Sequence, residues 1–307
     1  MLAAHQVRFF ESPALTLGVC LVAVVGGLFA GSILHTMAWR MSKDRPALGG
    51  GRHCASCDHP LTFRESLPLL GWLLQRGVCP YCGEHISLEG PLCEMLCSGM
   101  FVSVVLRYGA TAQTLEVLGI VCVLFLIALS ALKEYRIPNG CILMAYLIRI
   151  AYLAWLFVIG DNATQLVISS ITGALGMAIP LALALFLSDA MLDRDITGMG
   201  TVKLASVMGF YLGWQQGILA MAAAVMLLAV VWLLSPVKLQ HVEVEGGAHR
   251  DPDAAGTRPS PRDLKATLEE DIAEPMRVVP FAPAIAIAFW VVLLVGITPG
   301  AWNAPIF

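Results

Sequence analysis

Charge is what this sequence has least of. Of its 307 residues only 13% are Asp, Glu, Lys or Arg, while 58% are apolar; a soluble domain carries roughly 25% charged residues. The deficit excludes an ordinary water-soluble fold and points to a polytopic membrane protein, whose length does not set a domain count. A basic excess is also missing. The net charge is −3, which leaves no electrostatic footprint for nucleic acid. No basic stretch with a small-residue cleavage site opens the chain: Arg8 is followed by Glu11 and Pro13 before the first apolar run. The first helix is therefore expected to be retained rather than removed as a signal peptide. No internal repeat is visible.

What the chain does have is a series of apolar runs long enough to cross a bilayer. They lie at about 14–38, 112–132, 141–159, 164–188, 216–234 and 279–299. Weaker candidates are 88–106, which holds Glu89 and Glu94, and 201–214, which is short. The expected fold is an α-helical polytopic membrane protein with about eight transmembrane helices. Its parts are a first helix in 1–38, a polar segment 39–87, a membrane core 88–234 carrying helices two to seven, a polar loop 235–278 and a last helix in 279–307.

Lys and Arg fall on one side of such a path. Arg40, Lys43, Arg45, Arg52, Arg64 and Arg76, then Lys133, Arg136, Arg194 and Lys203, then the basic residues of 235–278 share that side, against little beyond Arg8 and Arg107 on the other. The positive-inside rule places the long segments in the cytoplasm, and an odd number of crossings would break the asymmetry. The 235–278 loop reads as a disordered linker, with Gly246-Gly247, Pro252 and Pro259-Ser260-Pro261 among scattered charges. A short helix around 262–273 remains open.

Four of the nine cysteines form two pairs, Cys54-x-x-Cys57 and Cys79-x-x-Cys82, separated by 21 residues. Two such pairs supply four thiolates for a tetrahedral Zn²⁺, and structural disulfides are rare in the cytoplasm. A site closed by four thiolates has no open position, so the zinc is expected to be structural and to hold together a module too small for its own core. His53, His59 and His85 are read as surface residues rather than ligands. The other cysteines lie in or beside apolar runs, where cysteine acts as a small hydrophobe.

The stretch Gly198-Met199-Gly200-Thr201-Val202-Lys203-Leu204 sets two glycines and a lysine at the mouth of an apolar segment. Glycines permit close backbone approach there, and an ionisable neighbour marks a functional-site hypothesis. Its spacing resembles the Gly-x-Gly-Asp-x-Lys-Leu motif of prepilin peptidases, which are intramembrane aspartyl proteases. The cysteine module resembles the same family, through Cys54-Ala-Ser-Cys57-Asp-His59-Pro60-Leu61, Leu67-Pro68-Leu69-Leu70-Gly71-Trp72-Leu73 and Arg76-Gly77-Val78-Cys79-Pro80-Tyr81-Cys82-Gly83. Similar matches run along nearly the whole chain: Gly31-Ser32-Ile33-Leu34, Glu94, Ile137-Pro138-Asn139, Gly209, Leu212-Gly213-Trp214 and Val279-Pro280-Phe281-Ala282-Pro283.

The resemblance implies a bacterial inner-membrane protein of the type IV pilus or type II secretion pathway. Such a protein cuts leaders from prepilins and pseudopilins and methylates the new N-terminus with S-adenosylmethionine. It also exposes departures. The two catalytic aspartates of the family fall on Ala131, seven residues before Pro138, and on Thr201; His35 and Ser66 stand where the family has asparagine.

Aspartyl proteolysis needs one ionised and one protonated carboxyl close enough to split their pKa values. Alanine offers no proton chemistry, and a threonine hydroxyl is no base near neutral pH. Glu134 shares the Ala131 face but is displaced by about 5 Å, beyond the tolerance of a dyad. Asp193 and Asp195 read as solvated loop acids. The expected function is therefore a prepilin peptidase relative without proteolysis, a pseudoenzyme. A methyltransferase-only enzyme is one alternative, although no glycine-rich Rossmann turn is visible. A non-catalytic factor that binds prepilins is the other. Transport is disfavoured, because no intramembrane charges are expected to pair across the bundle and the cysteine module would be unexplained.

Overall fold

The computed structural model describes residues 13–134, 137–192, 199–234 and 281–295, apart from 44, 47–53, 55, 56, 58, 61, 63, 64, 161 and 162. Helices form at α1 (Pro13–Met41), α2 (Leu70–Leu74), α3 (Glu89–Tyr108), α4 (Ala112–Glu134), α5 (Asn139–Val158), α6 (Thr164–Leu192), α7 (Met199–Leu234) and α8 (Phe281–Val295). Two compact units are distinguished, 1–227 with 280–307, and 228–279; the second is described only over 228–234. Among the described residues, six helices are long and apolar enough to cross a membrane, and α8 is a shorter apolar helix. One isolated bridge pairs Val78 with His85. The expected loop 235–278, with its possible helix at 262–273, lies outside the described residues, as do Asp193, Asp195 and Gly198.

Helix boundaries follow local chemistry. Pro138 is extended (φ −65°, ψ 126°) immediately before α5, where a residue without an N–H costs nothing. Gly109 (φ 68°) ends α3, and Thr111 starts α4 as an N-cap whose hydroxyl accepts the Thr114 N–H at 3.3 Å. The centre of the bundle is α4, which packs against α1, α3, α5 and α8. Its Val117, Ile120, Val121, Leu124 and Ile127 are buried in one apolar cluster with Leu34, Cys97, Ala131, Leu204, Met208 and Phe289.

The expected sixth and seventh helices form one element, α7, broken at Gly213 (φ 74°, ψ 172°). The break reverses the chain. Met177 of α6 would touch a Cβ built on Gly209 and on Gly217 at 2.8 and 3.1 Å. Those two points thus lie within about 6 Å of each other, whereas eight residues of straight helix would separate them by about 12 Å. The approach of α6 to this turn is so close that a Cβ on Gly173 or Gly209 would overlap the other residue's carbonyl.

Independent support comes from α8. At the C-terminal end of α3, Arg107 Nε donates to the Leu294 carbonyl at 3.0 Å and Tyr108 Oη to the Leu293 carbonyl at 2.6 Å. The two helices end together and so run in the same direction, as the second and eighth of eight alternating crossings do. The eight helical segments read from hydropathy therefore all have counterparts, the sixth and seventh as the two arms of α7.

Candidate functional site

Three polar groupings stand out among the described residues. The first gathers the motif positions at one end of the bundle. A Cβ on Gly200 would meet the Ile137 side chain at 3.2 Å, and Lys203 Nζ donates to Asn139 Oδ1 at 2.9 Å. The start of α7 is thus held against the Ile137-Pro138-Asn139 turn. Ala131 is 2% exposed within the apolar cluster that also contains Leu204, and Thr201 is half-buried.

On the neighbouring helices, His35 Nε2 lies 4.0 Å and Lys133 Nζ 3.5 Å from Glu89 Oε2. Lys133 is two residues beyond Ala131 in sequence. Glu94 is 1% exposed, and its Oε2 accepts the Leu69 N–H at 2.6 Å, where Leu69 adopts φ 57°. It therefore ties the cysteine segment to α3. The Glu134 side chain lies outside the described residues.

The second grouping is the cysteine module. The Sγ atoms of Cys54, Cys57, Cys79 and Cys82 all lie within 4.8 Å of one another, with Cys54 and Cys82 at 3.8 Å. A tetrahedral ion with Zn–S distances of about 2.3 Å needs sulfurs about 3.8 Å apart, so the donor set fits a structural metal. Backbone turns present each pair: Cys54 N–H to the His59 carbonyl (3.0 Å), Cys79 N–H to the Glu84 carbonyl and Gly83 N–H to the Cys79 carbonyl (both 2.9 Å).

His59 stacks on Tyr81 with ring centroids 3.6 Å apart and His85 belongs to the bridge with Val78; neither is among the grouped ligand atoms. His53 lies outside the described residues. The Glu84 backbone hydrogen bond pulls the Cys82 thiol down, but desolvation and hydrogen bonds with Cys79, Cys57 and Cys54 outweigh it and push it up to about 12. A bound divalent cation reverses that balance, because it stabilises thiolates directly.

The third grouping corrects an expectation. Intramembrane charges do pair: Arg149 Nη1 of α5 donates to Glu116 Oε1 of α4 at 2.7 Å, with side chains 2% and 1% exposed. Arg149 also reaches Ser170 Oγ of α6 at 3.2 Å, and its guanidinium lies 5.3 Å from the Tyr211 ring centre. Tyr211 Oη in turn donates to the Ala145 carbonyl at 2.8 Å. The network joins four helices beside the Gly213 reversal, where non-helical backbone at membrane depth must be enclosed by protein. The disfavour toward transport accordingly rests on the cysteine module alone. A lone arginine in Leu147-Ile148-Arg149-Ile150 was the available sequence signal, but its partner follows only from which helix faces meet.

Comparison with known proteins bears on both ends of this arrangement. Residues 25–108 match the family model "Bacterial Peptidase A24 N-terminal domain", which covers the second part of α1, the cysteine module and α3. The chain is 28% identical over 208 residues to "Prepilin leader peptidase/N-methyltransferase" of Myxococcus xanthus, covering 68% of this chain and 60% of that relative. It is 26% identical over 318 aligned residues to the protein of that name from Stutzerimonas stutzeri, covering 94% of each. It is 25% identical to "Type 4 prepilin-like proteins leader peptide-processing enzyme" of Escherichia coli, over 62% of this chain and 76% of the relative. No solved structure matches the chain.

Proposed function

We propose, on the premise that this chain belongs to the bacterial prepilin leader peptidase/N-methyltransferase family, that it keeps the family's membrane scaffold and metal module but does not cleave leader peptides. The observation that carries the reading is chemical. At the two positions where the family resemblance places carboxylates stand Ala131, packed in the apolar cluster, and Thr201. Neither can act as acid or base toward a peptide bond at neutral pH. Beside them Glu89 lies against Lys133 and His35, a set that contains one carboxylate among the described residues.

The ligand in this reading is zinc, held by Cys54, Cys57, Cys79 and Cys82 and closed to substrate. It stabilises the thiolates and fixes the turns that present them. Prepilins or pseudopilins are the proposed partners, and the chain resides in the bacterial inner membrane with its long loops in the cytoplasm. Gly200 and Lys203 keep the start of α7 docked on the Pro138 turn, and Gly198 completes the motif, so the binding face persists where the chemistry is lost. A chain that keeps the methyl-transfer half alone, with S-adenosylmethionine as donor, is the alternative reading.

Leader removal from a co-expressed prepilin, read as a mobility shift, tests the reading. The unmodified chain is expected to leave the prepilin intact. Cleavage that disappears in Glu134→Gln or Asp195→Asn would identify a displaced acid and overturn it.

A further inference from the structure

We propose that the short helix α2 of the cysteine module is a membrane-surface anchor, whose leucines insert into the lipid leaflet at which α1 ends and α3 begins. The inference goes beyond the missing proteolysis and does not depend on it.

The helix is too short to be stable alone, yet it turns its apolar side outward. Leu70, Leu73 and Leu74 are 55%, 63% and 72% exposed. A helix that only capped a soluble module would bury these residues against it. Two hydrogen bonds fix its level in the molecule. The Leu69 N–H, immediately before α2, reaches Glu94 Oε2 at 2.6 Å, and Glu94 is in the second turn of α3. Trp72 Nε1 donates to the carbonyl of Ile86 at 3.2 Å, three residues before α3 starts.

Both ties set α2 beside the first turns of a membrane-spanning helix rather than out in water. The start of α3 itself exposes Leu88, Leu92 and Leu96, the surface that a spanning helix gives to lipid, so an apolar exterior is already required at this level. Exposed Arg76 lies two residues beyond the end of α2, and a basic residue beside an apolar helix at this depth suits anionic headgroups. Lipid is therefore the occupant that fits both the level and the charge. The anchored helix would hold the four-cysteine module flat against the membrane.

The test uses the full chain reconstituted in phosphatidylethanolamine/phosphatidylglycerol vesicles, with a benzophenone amino acid placed singly at position 70, 73 or 74. Position 96 on α3 is the lipid-facing control and position 84, beyond the cysteine turn, the solvent control. Irradiation and mass spectrometry are expected to give phospholipid adducts at 73 and 74 at the yield seen for 96, and none at 84. Where the probe at one position disturbs folding, seen as loss of the 96 adduct in a doubly labelled chain, the other two decide. No lipid adduct at any of the three while 96 reacts would overturn the proposal. So would adducts at these positions that form only to a co-reconstituted prepilin, which would make α2 a protein-docking face.

Discussion

Replacing Arg149 with methionine removes one half of a charge pair that no water reaches. The Nη1–Oε1 distance is 2.7 Å, and both side chains are at most 2% exposed. At an effective dielectric of about 20, two unit charges at that distance attract by about 6 kcal/mol. Desolvation of both groups offsets most of this, so the pair contributes little net stability. Its rupture is another matter, because the surviving charge stays buried without its partner at a cost of about 3–5 kcal/mol.

Arg149→Met should therefore destabilise the protein by about 3–5 kcal/mol, and Glu116→Leu by a similar amount. The double change should return stability to the parent level or above it, since no unpaired charge remains. The readout is equilibrium unfolding in mixed micelles, followed by the loss of helical circular dichroism. Ser170→Ala, which removes only a hydroxyl acceptor, should cost about 1 kcal/mol. Single changes that each cost less than about 1 kcal/mol, as for an exposed surface pair, would refute the geometry. So would a double variant as damaged as the sum of the singles.

Three further outcomes are expected. Purified protein should contain one zinc per chain by elemental analysis, Cys54→Ser should lose it, and metal should leave as pH falls, because binding requires thiolates and protons compete for them. Zinc-free protein whose four thiols alkylate freely would contradict the module. Cysteines introduced into 39–87 and 235–278 should be labelled from the cytoplasmic side alone; labelling of either from outside intact cells would contradict the topology. Gly209→Leu should cost at least about 1–3 kcal/mol through overpacking, because the Gly173 carbonyl and Met177 occupy the space. Gly18→Leu, with nothing within 4 Å of its Cβ position, should be neutral within error.

Hydropathy revealed the helices because a bilayer imposes it residue by residue. The expected run 14–38 became Pro13–Met41 and 112–132 became Ala112–Glu134. The expected gap between the sixth and seventh helices fell within two residues of Gly213. The cysteine cluster was legible because two Cys-x-x-Cys turns leave few other ways to arrange four thiols. What stayed hidden depends on contacts between distant segments. Glu116 and Arg149 are 33 residues apart, and nothing local says that their helix faces meet. Glu94 looked like a helix-start acid in sequence, but its carboxylate serves the backbone of Leu69, 25 residues earlier. The outward leucines of α2 gave no periodic signal, since five residues are too few to show one.

The most direct measurement of the central claim is prepilin leader removal by four purified chains in lipid: the parent, Ala131→Asp, Thr201→Asp, and both together. One carboxylate cannot serve as both acid and base, so the parent and the two single variants should be inactive, and only the double variant should recover cleavage. Recovery would be partial. Position 131 is 2% exposed in an apolar cluster, where a new carboxyl bears a desolvation cost, and His35 and Ser66 remain in place of asparagine. Cleavage by the parent, or by either single variant, would contradict the account.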